Sequence, residues 1–154
     1  MILHTKQDNF ATHTIEKIND KVLKTIVFTK LVDFNTRKEQ IENLIKDKNS
    51  FFTIKFPNYT VDYQQQNLTI VITSEYIDGK YPVNNYKWNK VVLDEVVKRE
   101  HIYTLSSFSN DNYIETANGQ LYYIDIDDYR KIDLEERITK FCNKFLVYGD
   151  GYGM

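Results

Sequence analysis

The strongest local signal in the sequence is an Ala-Asn-Gly turn between two runs that alternate as β-strands do. The runs are NYIET at 112–116 and QLYYIDI at 120–126, and the turn occupies 117–119. Asn and Gly tolerate the positive φ angles that tight hairpin turns require. The pattern predicts an antiparallel hairpin that begins at Asn112 and returns the chain to Asp125.

A second hairpin is predicted nearer the start of the chain. The runs THTIEKI and KVLKTIVF alternate in the same way and flank Asn19-Asp20, a pair that suits a two-residue turn. Two such hairpins in one chain favour a fold built on antiparallel sheet.

One helix is predicted after this hairpin, from Asn35 over about 13 residues. Thr36 and Glu39 have the spacing of a capping box, in which each side chain satisfies a free backbone N–H. Ile41, Leu44 and Ile45 form its apolar stripe.

The remaining elements follow from shorter patterns. Aromatic and β-branched residues predict antiparallel strands at 51–63 and 68–73, joined through the polar run QQQN. The segment EYIDG at 75–79 leads into a connector, and apolar spacing predicts helices at 89–104 and after Asp133. The sequence therefore predicts an α+β protein.

Composition excludes several functional classes. With 154 residues and 42% hydrophobic content, we expect one compact unit over 1–154. A net charge of −2 argues against a nucleic-acid partner. No apolar run approaches the roughly 18 residues of a membrane span, so we expect no membrane partner and a cytoplasmic location, the host cytoplasm if the protein is viral. The single cysteine, Cys142, excludes an internal disulfide.

The order of these elements resembles the protein-kinase-like superfamily. Lys24, on the second strand of the first hairpin, resembles the strand lysine of the kinase small lobe, and Glu39 or Glu42 resembles its helix glutamate. Asn112 and Asp125, 13 positions apart across a hairpin, resemble the catalytic-loop Asn and the metal-binding Asp. The resemblance implies ATP and Mg²⁺ as cofactors, with Mg²⁺ bound by Asn112 and Asp125.

The resemblance also implies a division into two lobes. Residues 1–79 correspond to a small lobe with an antiparallel sheet and one helix. Residues 80–154 correspond to a much reduced C-terminal lobe with helices and a β-hairpin. The segment TSEYIDG resembles the hinge whose backbone meets the adenine, which assigns Glu75 and Tyr76 to nucleotide binding.

The sequence departs from the family pattern where the chemistry is most demanding. The segment QDNFATHT at 7–14 lacks the glycines of a phosphate-covering loop. Ser107 stands where the family has its catalytic Asp, and serine cannot take a proton as a carboxylate does. Asp111, the nearest carboxylate in that loop, is the one candidate for the catalytic base, although a strand that begins at Asn112 would point it elsewhere. Asp127 and Asp128 are expected to be solvated at a strand end rather than to bind metal.

Three functions remain open on the sequence alone. The first is a pseudokinase, a nucleotide-binding or regulatory module that acts on a protein partner with weak or no phosphotransferase activity. The second is an active minimal ATP-dependent kinase. The third is a non-enzymatic structural or interaction protein of a virus or phage, for which the tyrosine-rich strands supply interface surface.

Overall fold

The structure is a computed structural model, and it describes residues 2–51, 53–82, 103–105, 112–127 and 129–131. The chain divides into two compact units. Unit 1 comprises Met1–Glu42 and Pro57–Ile77, and unit 2 comprises Asn43–Phe56 and Asp78–Met154. Among the described residues, none of the helices has both the length and the apolar character that crossing a membrane requires.

The described elements are ten short strands and one α-helix, α1. The strands in chain order are β1 (Ile2–Gln7), β2 (Ala11–Ile18), β3 (Lys21–Phe28), β4 (Ile54–Lys55), β5 (Tyr59–Gln64), β6 (Thr69–Glu75), β7 (Tyr103–Leu105), β8 (Tyr113–Glu115), β9 (Leu121–Tyr123) and β10 (Tyr129–Lys131). Helix α1 spans Leu31–Asp47. This mixture confirms the predicted α+β class.

Unit 1 is built on a five-stranded antiparallel sheet with the order β1-β2-β3-β6-β5. The predicted hairpin of β2 and β3 is confirmed, and Asn19 in its turn has a φ of 57°. The predicted antiparallel pair of β5 and β6 is also confirmed, with a 3-10 turn in place of the QQQN loop. Strand β3 lies at the centre of the sheet.

Helix α1 begins earlier than its local sequence predicts. Thr36 lies inside the helix, where its hydroxyl donates to the Val32 carbonyl 2.9 Å away, so the capping-box prediction is wrong. Ile45 is 40% exposed and does not belong to the apolar stripe. Phe34 belongs to it instead, because burial of its ring against the sheet extends the helix beyond the apparent local cap.

Two other predictions of secondary structure are wrong in part. The strand predicted at 51–63 is divided into β4 and β5, with Pro57 between them, because proline has no N–H to donate to a ladder. The end of the helix predicted at 89–104 is strand β7, which pairs with β10 in antiparallel fashion. The rest of that helix and the helix predicted after Asp133 lie outside the described residues.

Unit 2 contains a three-stranded sheet with the order β4-β9-β8. The predicted hairpin of β8 and β9 is confirmed, and Gly119 in its turn has a φ of 82°, which glycine adopts without strain. Strand β4 pairs with β9 in parallel. Edge-to-face ring contacts extend from Phe51 through Phe56 and Tyr123 to Tyr113, and both tyrosines are fully buried.

The core of unit 1 lies between the sheet and α1. Ile26 of β3 pairs with Ile70 of β6, so their side chains lie on the same face of the sheet. Phe28 and Ile72, two positions further along their strands, lie on that face as well, and all four residues are buried. The Phe34 ring meets the Phe28 ring edge to face at a centroid distance of 6.1 Å. This contact fixes which face of the sheet the helix covers.

We expect Phe34→Ala to lower the free energy of unfolding by about 3–5 kcal/mol, because it removes a fully buried ring and leaves a cavity. Urea denaturation followed by circular dichroism measures this loss. Val32→Ala is the matched control, since Val32 lies on the same helix and is 64% exposed. Equal effects of the two variants would contradict the assigned packing of α1.

Candidate functional site

Lys24 lies on the covered face of the central strand. It is paired with Ile15 on β2 and Ile72 on β6, and it has the same strand parity as the buried Ile26 and Phe28. Its side chain is partly buried. A lysine in such surroundings gives up hydration of its ammonium group, which makes an anionic ligand favourable there.

The turn between β1 and β2 is closed by the side chain of Asp8. Its Oδ1 accepts the N–H groups of Phe10 and Ala11, each at 2.7 Å. Its Oδ2 lies 2.9 Å from Nε2 of His13, which is buried. An ionised carboxylate only accepts hydrogen bonds, so Nε2 carries the proton in this contact. Asp8 thus holds two N–H groups of a turn that contains no glycine.

The pKa of Asp8 reflects these contacts. Partial burial acts to raise it, but the hydrogen bonds from the Phe10 N–H, His13 and the Ala11 N–H together lower it below the ordinary value for an aspartate. Asp8 is therefore ionised at neutral pH. Electrostatic attraction to His13, which lies against the carboxylate, also lowers the pKa of Asp8.

The two glutamates predicted to pair with Lys24 are both on α1. Glu42 lies beside two tyrosines of β5: burial, and then this carboxylate, raises the pKa of Tyr59 to about 12 and also raises the pKa of Tyr63. The ammonium of Lys38, one helical turn from Glu42, lies 4.9 Å from the centre of the Tyr63 ring. Glu39 is solvent-exposed. The contacts of Glu42 thus involve the edge strand β5.

The segment that resembles a hinge follows β6. The Glu75 N–H donates to the Asn58 carbonyl at 2.9 Å, and the Glu75 carboxylate accepts the Asn58 N–H at 2.8 Å. The Tyr76 N–H donates to the Asp20 carbonyl at 2.9 Å, and the ammonium of Lys17 lies 4.2 Å from the centre of the Tyr76 ring. Because both N–H groups are engaged inside unit 1, an adenine at this segment would need other backbone groups.

Asn112 and Asp125 lie at the same end of the β8–β9 hairpin. The Ile124 N–H donates to the Asn112 carbonyl at 3.0 Å, and Asp125 is the residue after Ile124. Both side chains are partly buried. An amide oxygen and a carboxylate fit Mg²⁺, which takes few protein ligands and completes its shell with water and phosphate oxygens.

Gly79 has a role that sequence reasoning did not find. The neighbouring Lys80 exchanges two backbone hydrogen bonds with Glu115 on β8, at 2.9 and 3.1 Å. A Cβ atom at Gly79 would overlap the Glu115 carbonyl and approach the Ile114 side chain. Glycine allows this close approach, by which the segment after EYIDG is attached to the hairpin within unit 2.

The expectation for Asp127 is wrong. It is only 1% exposed, next to Ile126, which is also buried, rather than solvated at a strand end. Ser107, Asp111 and Asp128 lie outside the described residues. Within the described part of the chain, no three His, Cys, Asp or Glu side chains form a metal-binding group.

No protein-family model matches the sequence, and no curated protein sequence matches it. Among solved structures, the bifunctional kinase-methyltransferase WbdD is similar, with a TM-score of 0.53 and 11% identity over 98% of this chain. WbdD in a co-crystal with the kinase inhibitor LY294002 gives a TM-score of 0.50 and 12% identity over 98%. The GDP and kanamycin complex of APH(2")-IIia has a TM-score of 0.49 and 10% sequence identity over 96% of this chain.

This chain spans 38% and 37% of the two WbdD chains and 77% of the APH(2")-IIia chain. Sequence identity at this level establishes similarity of fold and nothing finer. The antiparallel sheet, the single described α-helix and the second small sheet are consistent with that similarity. The chain has a kinase-like fold.

Proposed function

We propose that the chain is a pseudokinase: a kinase-like module that binds a nucleotide with Mg²⁺ and has weak or no phosphotransferase activity. The observation that carries the proposal is the position of Lys24, a partly buried cation on the helix-covered face of the central strand. The similarity to WbdD, which is described as a kinase and was crystallised with a kinase inhibitor, supports a nucleotide as the ligand.

Each residue of the proposed site has a distinct task. Lys24 binds the phosphate oxygens, and Glu39 is the proposed carboxylate that orients it, since Glu42 lies against the tyrosines of β5. Asn112 and Asp125 supply oxygen ligands to Mg²⁺, which would offset the negative charge of the phosphates.

Weak or absent transfer follows from two features of the chain. Ser107 cannot act as the carboxylate that accepts the proton of an acceptor hydroxyl. The β1–β2 turn has no glycine, and its N–H groups at Phe10 and Ala11 already bind Asp8. With these parts missing, nucleotide binding serves regulation or the recognition of a protein partner.

We expect ATP with Mg²⁺ to raise the melting temperature of the purified chain. A ligand at a hundredfold excess over its Kd stabilises a protein by about 2.7 kcal/mol. Lys24→Met should weaken ATP binding roughly tenfold or more, because it removes a charged hydrogen-bond donor to phosphate. Thermal-shift titration with ATP, with and without Mg²⁺, measures both effects.

Lys21→Met is the matched control for this titration. Lys21 is on the same strand, is exposed and points to the opposite face of the sheet, so its removal changes the charge equally. If both variants retain the ATP-induced rise in melting temperature of the wild type, the nucleotide does not bind at Lys24. No response at millimolar ATP would refute the nucleotide site.

An active minimal kinase is the second candidate, and the position of Asn112 and Asp125 at one end of the hairpin supports it. For the pseudokinase, we expect phosphate transfer from labelled ATP to remain at the level of Asp125→Ala. The measurement is incorporation of label into small-molecule and protein acceptors. Transfer by the wild type that Asp125→Ala abolishes would establish the active enzyme instead.

A further inference from the structure

The carboxylate of Asp8 acts as an internal anion in the β1–β2 turn. One carboxylate, that of Asp8, accepts both N–H groups of the turn and also contacts His13. Asp8 itself donates its N–H to the Ala11 carbonyl at 2.9 Å, which closes the turn from both sides. A carboxylate held by backbone N–H groups has the charge and the acceptor geometry of a bound anion.

This internal anion lies on the same side of the sheet as Lys24. His13 is paired with Ile26, and Lys24 is two residues before Ile26 on the same face. His13 and Lys24 are therefore diagonal neighbours, about 7–8 Å apart at their backbones. Since Oδ2 of Asp8 is 2.9 Å from His13, the carboxylate lies at the β1–β2 turn end of the face that presents Lys24.

We propose that Asp8 determines the ligand specificity of the nucleotide site: its carboxylate occupies the turn in place of a phosphate, so the phosphates of a nucleotide add little to affinity. This inference rests on the proposed function and specifies the ligand of the same site. Lys24 attracts a phosphate group, and the negative charge of Asp8 together with its hold on the Phe10 and Ala11 N–H groups opposes that attraction. The nucleoside part supplies most of the binding.

Two substitutions separate charge from fold at this turn. Asp8→Asn keeps an oxygen that accepts the two N–H groups and removes the negative charge. Asp8→Ser also removes the charge and keeps a hydroxyl oxygen that can accept a hydrogen bond. This variant replaces Asp8→Asn in the experiment if Asp8→Asn does not fold. Asp62→Asn is the matched control, because Asp62 is an exposed carboxylate on the opposite face of the same sheet.

The experiment is isothermal titration of each variant with ATP and with adenosine, at low ionic strength and without divalent cations. We expect the wild type to bind ATP no more tightly than adenosine. Asp8→Asn should bind ATP roughly tenfold more tightly, an order-of-magnitude figure for one removed like charge. The affinity of Asp8→Asn for adenosine should stay within about twofold of the wild-type value, because the substitution does not contact the nucleoside. The affinities of Asp62→Asn for ATP and for adenosine should also stay within about twofold of the wild-type values.

An unchanged ratio of the ATP and adenosine affinities in Asp8→Asn and Asp8→Ser would overturn the inference while leaving the nucleotide site intact. A parallel gain for both ligands would also overturn it, because it would indicate a general loosening of the turn. Absence of adenosine and ATP binding in every variant would refute the proposed function itself.

Discussion

The alternation of side chains along β3 is the constraint on which the candidate site depends. Ile26 and Phe28 must face α1, because they are buried, and Phe28 packs against Phe34. Side chains two positions apart on a strand lie on the same face, so Lys24 lies on the face of Ile26 and Phe28. The packing of its apolar neighbours therefore places Lys24 on the covered face.

The β1–β2 turn of the same sheet satisfies its backbone N–H groups without glycine. A turn closed by Asp8 is locally stable without glycine, because a carboxylate satisfies two N–H groups that a glycine-rich loop would leave for phosphate. The N–H groups of Phe10 and Ala11 are therefore engaged within the turn itself.

Local chemistry explains which features were predictable from the sequence. Both hairpins were, because the Asn19-Asp20 and Ala-Asn-Gly turns determine strand pairing within a few residues. The start of α1 was not, because burial of Phe34 against Phe28 of the preceding strand outweighs a capping box at Thr36. The parallel pairing of β4 with β9 was also missed, since it joins segments more than 60 residues apart.

Among the site residues, the sequence indicated types and order but not neighbours. Nothing local in the sequence assigns Glu42 to the tyrosines of β5, buries Asp127, or brings Gly79 against Glu115, because each contact depends on tertiary packing. The role of Asp8 was hidden for a related reason. Its position in QDNFATHT suggested only that glycine was missing, whereas the structure shows what replaces it.

A crystal structure of the chain with ATP and Mg²⁺ tests the central claim most directly. We expect the nucleotide on the α1-covered side of the sheet, with the Lys24 ammonium within about 3 Å of a phosphate oxygen. A nucleotide bound on the opposite face of the sheet, or bound with no contact to Lys24, would contradict it.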